Sequence, residues 1–162
     1  MLCQNESRCK SLFLKSPPPL ILASTSRYRR ELLDRLGLAF SCVASGADEA
    51  AQPGERPAAL AARLARAKAS AVSLKHQDAW VIGSDQVAVL IEEGGTESAL
   101  GKPGTSARCV AQLKACSGRT ISFLTAVAVM RHEDKALFEF IDTTRVKFRV
   151  LDPATIERYV AR

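Results

Sequence analysis

The sequence lacks the features of membrane, disulfide-stabilised and single-strand-binding proteins. It contains no run of about 18 apolar residues, the length that a membrane-spanning helix needs. Aromatic residues make up only 6% of the 162 residues, and no basic block is interleaved with them, so a stacking platform for single-stranded nucleic acid is not expected. The five cysteines include no C-x-x-C pair, which indicates neither a disulfide framework nor a zinc site.

Two common nucleotide-binding fingerprints are also missing. The sequence contains neither G-x-x-x-x-G-K-[ST] nor G-x-G-x-x-G, which excludes those two modes of phosphate binding. The cysteine pattern fits a reducing compartment, so a cytoplasmic location is expected. The net charge of +6 favours an anionic partner without naming one. A hydrophobic content of 47% over this length predicts a single domain with a buried core.

The chain divides into a short leader and one folded domain. Residues 1–19 end in three prolines and lack the apolar segment of a signal peptide, so we expect a disordered leader. Strands and helices alternate from residue 20, which predicts a mixed α/β domain over 20–162. The predicted helices cover 27–36, 57–74, about 105–116 and a segment from 153. The predicted strands cover 20–22, 40–44, 80–82, 87–91, 120–130 and 135–150, with a glycine-rich turn at 92–98.

The apolar spacing predicts which helix faces are buried. In the first helix, Leu32, Leu33 and Leu36 form the expected apolar stripe. In the long alanine-rich helix, residues at helical spacing form the expected buried face: Leu60, Leu64, Ala67, Ala71 and Leu74. The basic residues of this helix are expected elsewhere on its circumference: Arg63, Arg66 and Lys68.

The most informative segment joins a predicted strand to a predicted helix. The apolar residues 20–22 lead through the hydroxyl residues 24–26 into a helix with three arginines in its first turn. Unpaired main-chain N–H groups at a helix start carry partial positive charge and bind phosphate well. Cations are unfavourable at that end, and a polyphosphate ligand would explain Arg27, Arg29 and Arg30. Alternatively, Ser26 only caps the helix and the arginines point into water.

Isolated charged residues outside this junction could complete a phosphate-cleaving site. Asp85 follows an apolar strand and two small residues, at a strand end where α/β folds usually place their sites; the alternative is a turn aspartate that bonds its own backbone. Glu49 lies on a loop, and Lys102 lies in a constrained Gly-Lys-Pro loop that can present a fixed charge to phosphate. Each would alone be an ordinary surface residue. With Lys68, they supply the cations, carboxylates and base that phosphoanhydride hydrolysis needs.

These residues lie within a pattern that resembles the Maf family of nucleotide pyrophosphatases. The segment LASTSRYRRELL at 22–33 is similar to the N-terminal signature of that family. Further similar segments follow in order: Asp48-Glu49, Ala67-Lys68-Ala69, IGSDQV at 82–87, Leu100-Gly101-Lys102-Pro103, and residues 143–148. The matches cover almost everything after the leader, so the resemblance is specific although each motif alone is weak.

The resemblance implies a fold, a reaction and a set of site residues. The implied fold is Maf/inosine-triphosphatase-like, with a mixed, bent sheet flanked by helices around a central cleft. The implied reaction is hydrolysis of a nucleoside triphosphate to monophosphate and pyrophosphate with Mg²⁺ or Mn²⁺ as cofactor, and a homodimer is expected. Asp85 matches the proton acceptor, and Glu49 could help it to hold the metal. Four further residues match polar cleft positions that would bind substrate: Ser24, Arg29, Lys68 and Lys102.

Two positions in the same motifs bear on the choice of base. Tyr28 and the Gly-Ser-Asp-Gln segment that ends at Gln86 resemble the branch of the family that hydrolyses 7-methyl-GTP. The branch acting on dTTP and UTP, which is the alternative, usually has Gly-Ala-Asp-Thr there. Tyr28 can stack on a cationic methylated guanine, and Gln86 offers an amide donor and acceptor to a base edge.

The sequence departs from the family pattern at two places. Arg27 stands where the family usually has proline, which fits a helix start but loses the preset φ. A later family segment, Gly-x-x-x-x-Glu-Gly followed by an apolar helix, has no match in this chain. We therefore expect a C-terminally truncated domain, for which an inactive nucleotide-binding remnant is the alternative to an active enzyme.

Overall fold

The computed structural model describes residues 17–92 and 94–161. The leader expected at 1–19 therefore lies almost wholly outside the described residues. Within them, one mixed sheet of six strands is flanked by four helices, which confirms the predicted α/β class. No helix in these two ranges is both long and apolar enough to cross a membrane.

The elements alternate along the chain as the sequence predicts. The strands are β1 (Leu20–Leu22), β2 (Ser41–Cys42), β3 (Trp80–Ile91), β4 (Glu97–Leu100), β5 (Thr120–Arg131) and β6 (Ala136–Lys147). The helices are α1 (Arg27–Asp34), α2 (Pro57–Ser73), α3 (Ser106–Cys116) and α4 (Pro153–Val160). The strand order across the sheet is β2-β1-β3-β5-β6, and β4 also pairs with β3.

The glycine-rich turn predicted at 92–98 is shorter in the structure, because Glu97 already begins β4. This strand pairs antiparallel with the end of β3, and Ile91 lies opposite Glu97. Gly94 and Gly95 have φ values of 92° and 84°, a left-handed conformation that glycine adopts without strain. The chain can therefore reverse within a few residues and continue as a strand.

Strand β3 is the centre of the sheet, and its two edges are paired differently. One edge pairs antiparallel with β5 from Val81 to Leu90. On the other edge, parallel β1 covers β3 only as far as Ile82, and antiparallel β4 begins only at Ala88. Between them, residues 83–87 have no strand partner on this edge in the described part of the chain. We call this gap the β3 notch.

Helix α2 packs closely against one face of the sheet because both surfaces carry small side chains. Ala65, Ala69 and Val72 are buried in one cluster with Val81 of β3. At Gly83 the two elements approach so closely that a Cβ would lie 2.1 Å from the main-chain oxygen of Ala65. The contact is therefore possible only because β3 has a glycine here.

The buried face of α2 differs from the one that the apolar spacing predicts. Of the five expected residues only Leu64 is buried, and Leu74 is 56% exposed. The helix instead buries Pro57, Ala61, Leu64, Ala65, Lys68, Ala69, Val72 and Ser73. The prediction for Lys68 is also wrong, since this residue lies on the buried side. An alanine-rich helix is apolar on several faces, and the close approach at Gly83 selects the face with the smallest side chains.

Helix α1 is exposed, contrary to the expected apolar stripe. It ends at Asp34, before the predicted end at residue 36, and none of its residues is buried. Leu32 is 59% exposed and Leu36 is 66% exposed. The spacing of leucines shows that one face of a helix is apolar. It does not show that another element packs against that face. No element in the described ranges buries this face.

Within residues 17–92 and 94–161, helices cover the other face of the sheet at one end. Leu90 and Ile121 pack there with Cys116 of α3, and α4 contacts α3. Much of the remaining face is open, and Phe138 of the edge strand β6 is among its exposed residues. On this side, in the middle of β3, Gln86 is exposed, whereas the neighbouring Ser84 is buried.

Candidate active site

Three strands gather predicted site residues around the β3 notch. Ser24 lies just beyond the end of β1, and Lys102 lies just beyond the end of β4. Asp85 belongs to β3 itself and lies opposite Ala126 of β5. The predictions of a strand end or a turn at Asp85 are both wrong, because β3 continues unbroken to Ile91.

The notch also presents main-chain groups of β3. The carbonyl of Ile82 accepts the N–H of Ala23 at 2.8 Å, so the main chain of Ile82 points toward β1. In a strand, the N–H and C=O groups of every second residue point to the same edge. The N–H and C=O groups of Ser84 and Gln86 therefore point in the same direction as those of Ile82, into the notch. An unpaired strand edge of this kind offers hydrogen-bond donors and acceptors to a ligand.

Lys68 joins two carboxylates from different parts of the chain. Its Nζ lies 2.6 Å from Asp85 Oδ1 and 2.8 Å from Glu49 Oε1. Lys68 and Asp85 are only 5% and 8% exposed, whereas Glu49 is half-exposed. Buried charges need a partner of this kind, because an unpaired charge in the protein interior is strongly destabilising. We call these three side chains the Lys68 cluster.

Glu49 lies in a strongly cationic environment. The hydrogen bond from Lys68 is the largest influence and lowers the pKa of Glu49, while desolvation acts in the opposite direction. The charges of Lys68, Lys102 and Arg29 lower this pKa further, and Lys102 Nζ lies 3.8 Å from Glu49 Oε2. With Asp85 included, two carboxylates face three cations. The excess of positive charge suits an anionic ligand.

The start of α1 combines a helix cap with one arginine near the cluster. The Ser26 hydroxyl accepts the N–H of Arg29 at 3.5 Å, which confirms the predicted cap, and Ser26 N–H donates to Ser24 Oγ at 3.1 Å. Arg27 pairs with Glu31 at 2.7 Å on the outer surface, so this cation has a partner within the helix. Arg29 instead lies close enough to the Lys68 cluster to lower a carboxyl pKa there. Phosphate binding at this helix start stays a prediction.

The two residues predicted to select the base lie outside the Lys68 cluster. Gln86 follows Asp85 in β3, so its side chain points to the opposite face of the sheet, where Nε2 donates to Thr125 Oγ1 at 2.8 Å. Tyr28 lies on α1 and is 79% exposed. Because no strand in the described part of the chain lies beside β3 at the notch, a ligand there could reach both faces of β3. The role of both residues in base selection stays a prediction.

Comparisons with known proteins assign the chain to a family. A family model described as Maf-like protein matches residues 19–162. The chain belongs to the Maf family. A 7-methyl-GTP pyrophosphatase of Xanthomonas oryzae pv. oryzae is 53% identical over 143 residues, which cover 88% of this chain and 72% of that relative. Relatives of the same name from Bordetella pertussis and Alkalilimnicola ehrlichii are 48% and 47% identical, over 89% of this chain and 69% and 70% of their own lengths.

Three of the Maf motif segments meet in space. The segments at 48–49, 67–69 and 82–87 each supply one side chain of the Lys68 cluster. The segment at 100–103 supplies Lys102 on the far side of Glu49. The segment at 143–148 begins within the edge strand β6 and supplies no side chain to the cluster. Four motifs that are separate in the sequence of this Maf protein thus form one polar group.

Arg63, which was expected away from the buried face of α2, holds the loop that carries Glu49. Arg63 donates through Nε and Nη2 to the two carboxylate oxygens of Glu55, at 2.6 and 2.7 Å, and this bond lowers the pKa of Glu55 to about 2. Its Nη2 also donates to the carbonyl of Ala50 at 2.9 Å. Ala50 follows Glu49, so Arg63 ties the loop that carries this carboxylate to α2. Periodic spacing relates residues within one helix or strand. It could not have predicted this contact between a helix residue and a loop.

Proposed function

We propose that this Maf protein hydrolyses 7-methyl-GTP to 7-methyl-GMP and pyrophosphate. The observation that carries the proposal is the Lys68 cluster beside the β3 notch, where a buried carboxylate lies next to cations that suit a triphosphate. The choice of nucleotide is supported by relatives at 47–53% identity that are named 7-methyl-GTP pyrophosphatase.

In this proposal Asp85 accepts the proton of the attacking water. Its carboxylate is almost completely buried and is held in place by the hydrogen bond from Lys68. The water oxygen bonds to the α-phosphorus, the bond from this phosphorus to the bridging α–β oxygen breaks, and pyrophosphate leaves. A positioned general base typically contributes about 10²- to 10⁴-fold in rate.

The triphosphate would be held by groups that border the notch. Arg29 and Lys102 are close enough to the Lys68 cluster to lower the pKa of Glu49. The guanidinium of an arginine can also bind two phosphate oxygens at once. The hydroxyl of Ser24 and the main-chain N–H groups of Ser84 and Gln86 would supply neutral donors. Donors and cations of this kind stabilise the charge that develops during phosphoryl transfer.

Glu49 and Asp85 fit a Mg²⁺ or Mn²⁺ ion. One oxygen of each carboxylate lies within 2.8 Å of a single atom, Lys68 Nζ, so both can reach one cation. Within 17–92 and 94–161, no group of three or more histidine, cysteine or acidic residues could hold a metal. Two carboxylates suit magnesium, whose other ligands are commonly phosphate oxygens and water. When bound, the ion would neutralise negative charge on the phosphates.

Tyr28 and Gln86 are proposed to select the base. The exposed ring of Tyr28 can stack on the positively charged methylated guanine, and the Gln86 amide can exchange its bond to Thr125 for one to the base edge. We expect Gln86→Thr to lower the ratio of kcat/KM for 7-methyl-GTP to that for UTP, measured by pyrophosphate release. An unchanged ratio would contradict the role of Gln86.

We also propose that the catalytic domain begins at residue 20 and forms a homodimer. The start of β1 at Leu20 and the family match from residue 19 support the first boundary. The exposed rings of Phe138 and Phe140 on β6 support the dimer, since a second copy could cover them. Light scattering on the purified protein should give twice the chain mass, and a monomer mass would contradict the dimer.

A nucleotide screen tests the proposed reaction. The purified protein is incubated with Mg²⁺ and 7-methyl-GTP, GTP, UTP or dTTP, and pyrophosphate is measured over time. We expect the fastest release from 7-methyl-GTP. Faster release from UTP or dTTP would assign the protein to the other branch. Thermal stabilisation by 7-methyl-GTP without pyrophosphate release would mean that this chain binds the nucleotide but does not hydrolyse it.

A further inference from the structure

Lys68 occupies the position where the two proposed metal ligands converge. Its Nζ lies 2.6 Å from Asp85 Oδ1 and 2.8 Å from Glu49 Oε1. The Lys68 side chain is only 6% exposed, so it is held in this position by the surrounding protein. A divalent ion bound to the same two oxygens would lie about 2.1 Å from each. An ion at this point would meet the Lys68 ammonium, and the two positive charges repel each other.

We propose that Lys68 and a divalent cation compete for the same carboxylate oxygens of Asp85 and Glu49. The inference rests on the proposed function only in taking these carboxylates as the metal ligands. Binding of the ion displaces the Lys68 ammonium, and the nucleotide phosphates then offer the displaced ammonium a new partner. Lys68 is thus a positioning residue that holds the Asp85 carboxylate in place until the metal and the nucleotide arrive together.

The packing of α2 explains why Lys68, rather than another cation, has this role. Gly83 lies two residues before Asp85 and brings α2 against β3, so the lysine stem is buried beside the strand. Lys102 reaches Glu49 only at 3.8 Å and its side chain is 95% exposed, so water and salt screen its charge. Arg29 acts on Glu49 through its charge alone. Lys68 is therefore the cation of this site that a metal ion must displace.

The consequence for metal binding can be measured without any nucleotide. In Lys68→Met the competing charge is gone while an unbranched apolar stem is retained. We expect Mn²⁺ to bind this variant about tenfold more tightly than wild type, because both carboxylates lose their nearest cation. Mn²⁺ is titrated into the protein, and the concentration of free Mn²⁺ at each step is measured by electron paramagnetic resonance. Lys75→Met, which removes an exposed lysine just beyond the end of α2, should leave the affinity unchanged.

Thermal unfolding supplies a second readout. Without metal, Lys68→Met should melt at a lower temperature than wild type, because Asp85 is left buried and unpaired. Mn²⁺ should raise the melting temperature of Lys68→Met more than that of wild type. If the variant does not fold without metal, Mn²⁺ should restore its folded circular dichroism spectrum. Failure of Mn²⁺ to do so would contradict the competition.

Two further variants connect the effect to this site. Lys68→Arg keeps a cation and should bind Mn²⁺ no more tightly than wild type, and Asp85→Asn should weaken Mn²⁺ binding in the Lys68→Met background. Equal or weaker Mn²⁺ binding by Lys68→Met itself would overturn the proposal. An absence of nucleotide hydrolysis would count against the proposed function alone, because the Mn²⁺ titration contains no nucleotide.

Discussion

Replacement of Gly83 by alanine tests whether the close contact between α2 and β3 shapes the active site. The added Cβ would lie 2.1 Å from the main-chain oxygen of Ala65 and 2.5 Å from the main-chain nitrogen of Ala69. Ordinary van der Waals contact begins near 3.4 Å. Both obstructing atoms belong to the helix backbone, so no side-chain rotation can relieve the clash. Helix α2 must therefore withdraw from the strand by more than about 1 Å.

The expected loss of stability follows from this overlap. Overpacking in a close-packed interior costs about 1–3 kcal/mol, and Gly83→Ala should lie at the upper end, about 3 kcal/mol, because the overlap is with backbone. The movement also draws Lys68 away from Asp85. A misplacement of about 1 Å at a catalytic group can reduce turnover about a hundredfold.

Urea unfolding followed by circular dichroism gives the stability of the Gly83→Ala variant. Gly101→Ala is the matched control, because a Cβ on Gly101 would meet nothing within 4 Å. The control should unfold within about 0.5 kcal/mol of wild type. An unfolding free energy for Gly83→Ala equal to that of the control would show that α2 and β3 do not pack as described.

Two other predictions concern local interactions. The hydrogen bond from Arg63 lowers the pKa of Glu55 from 4.5 to about 2, so the ionised carboxylate stabilises the fold above pH 4.5 and this contribution is lost as the pH falls toward 2. The difference in urea midpoint between wild type and Glu55→Gln should therefore narrow across that range; a constant difference would contradict the ion pair. Asp152 accepts the N–H of Thr155 at 2.9 Å at the start of α4, so Asp152→Ala should lower the unfolding free energy by about 1 kcal/mol. Asp152→Asn retains an acceptor and should lose less, and equal losses in the two variants would argue against the cap.

The helices with strong local signals could be predicted from the sequence. Thr105 caps α3, Asp152 caps α4, and Pro57 begins α2, at or next to the predicted helix starts, because capping and proline residues favour these positions. The long hairpin of β5 and β6 was also predictable, because two extended apolar segments flank a short polar turn. In each case the determining residues are neighbours in the sequence.

The arrangement of the site depends on contacts between distant residues, which a spacing pattern does not contain. Asp85 lies inside a continuous strand because β1 pairs with the first part of β3 and β4 pairs with its last part. The burial of Lys68 follows from the small side chains that α2 and β3 bring together at Gly83. The motif resemblance identified these residues as a set but did not predict that Lys68 bridges Asp85 and Glu49.

Asp85 in the β3 notch is the proposed base for cleavage of 7-methyl-GTP. The most direct measurement compares the rate of pyrophosphate release from saturating 7-methyl-GTP by wild type and by Asp85→Asn, with circular dichroism to verify that the variant is folded. We expect kcat to fall by at least about a hundredfold in the folded variant. A folded Asp85→Asn protein that releases pyrophosphate at the wild-type rate would contradict it.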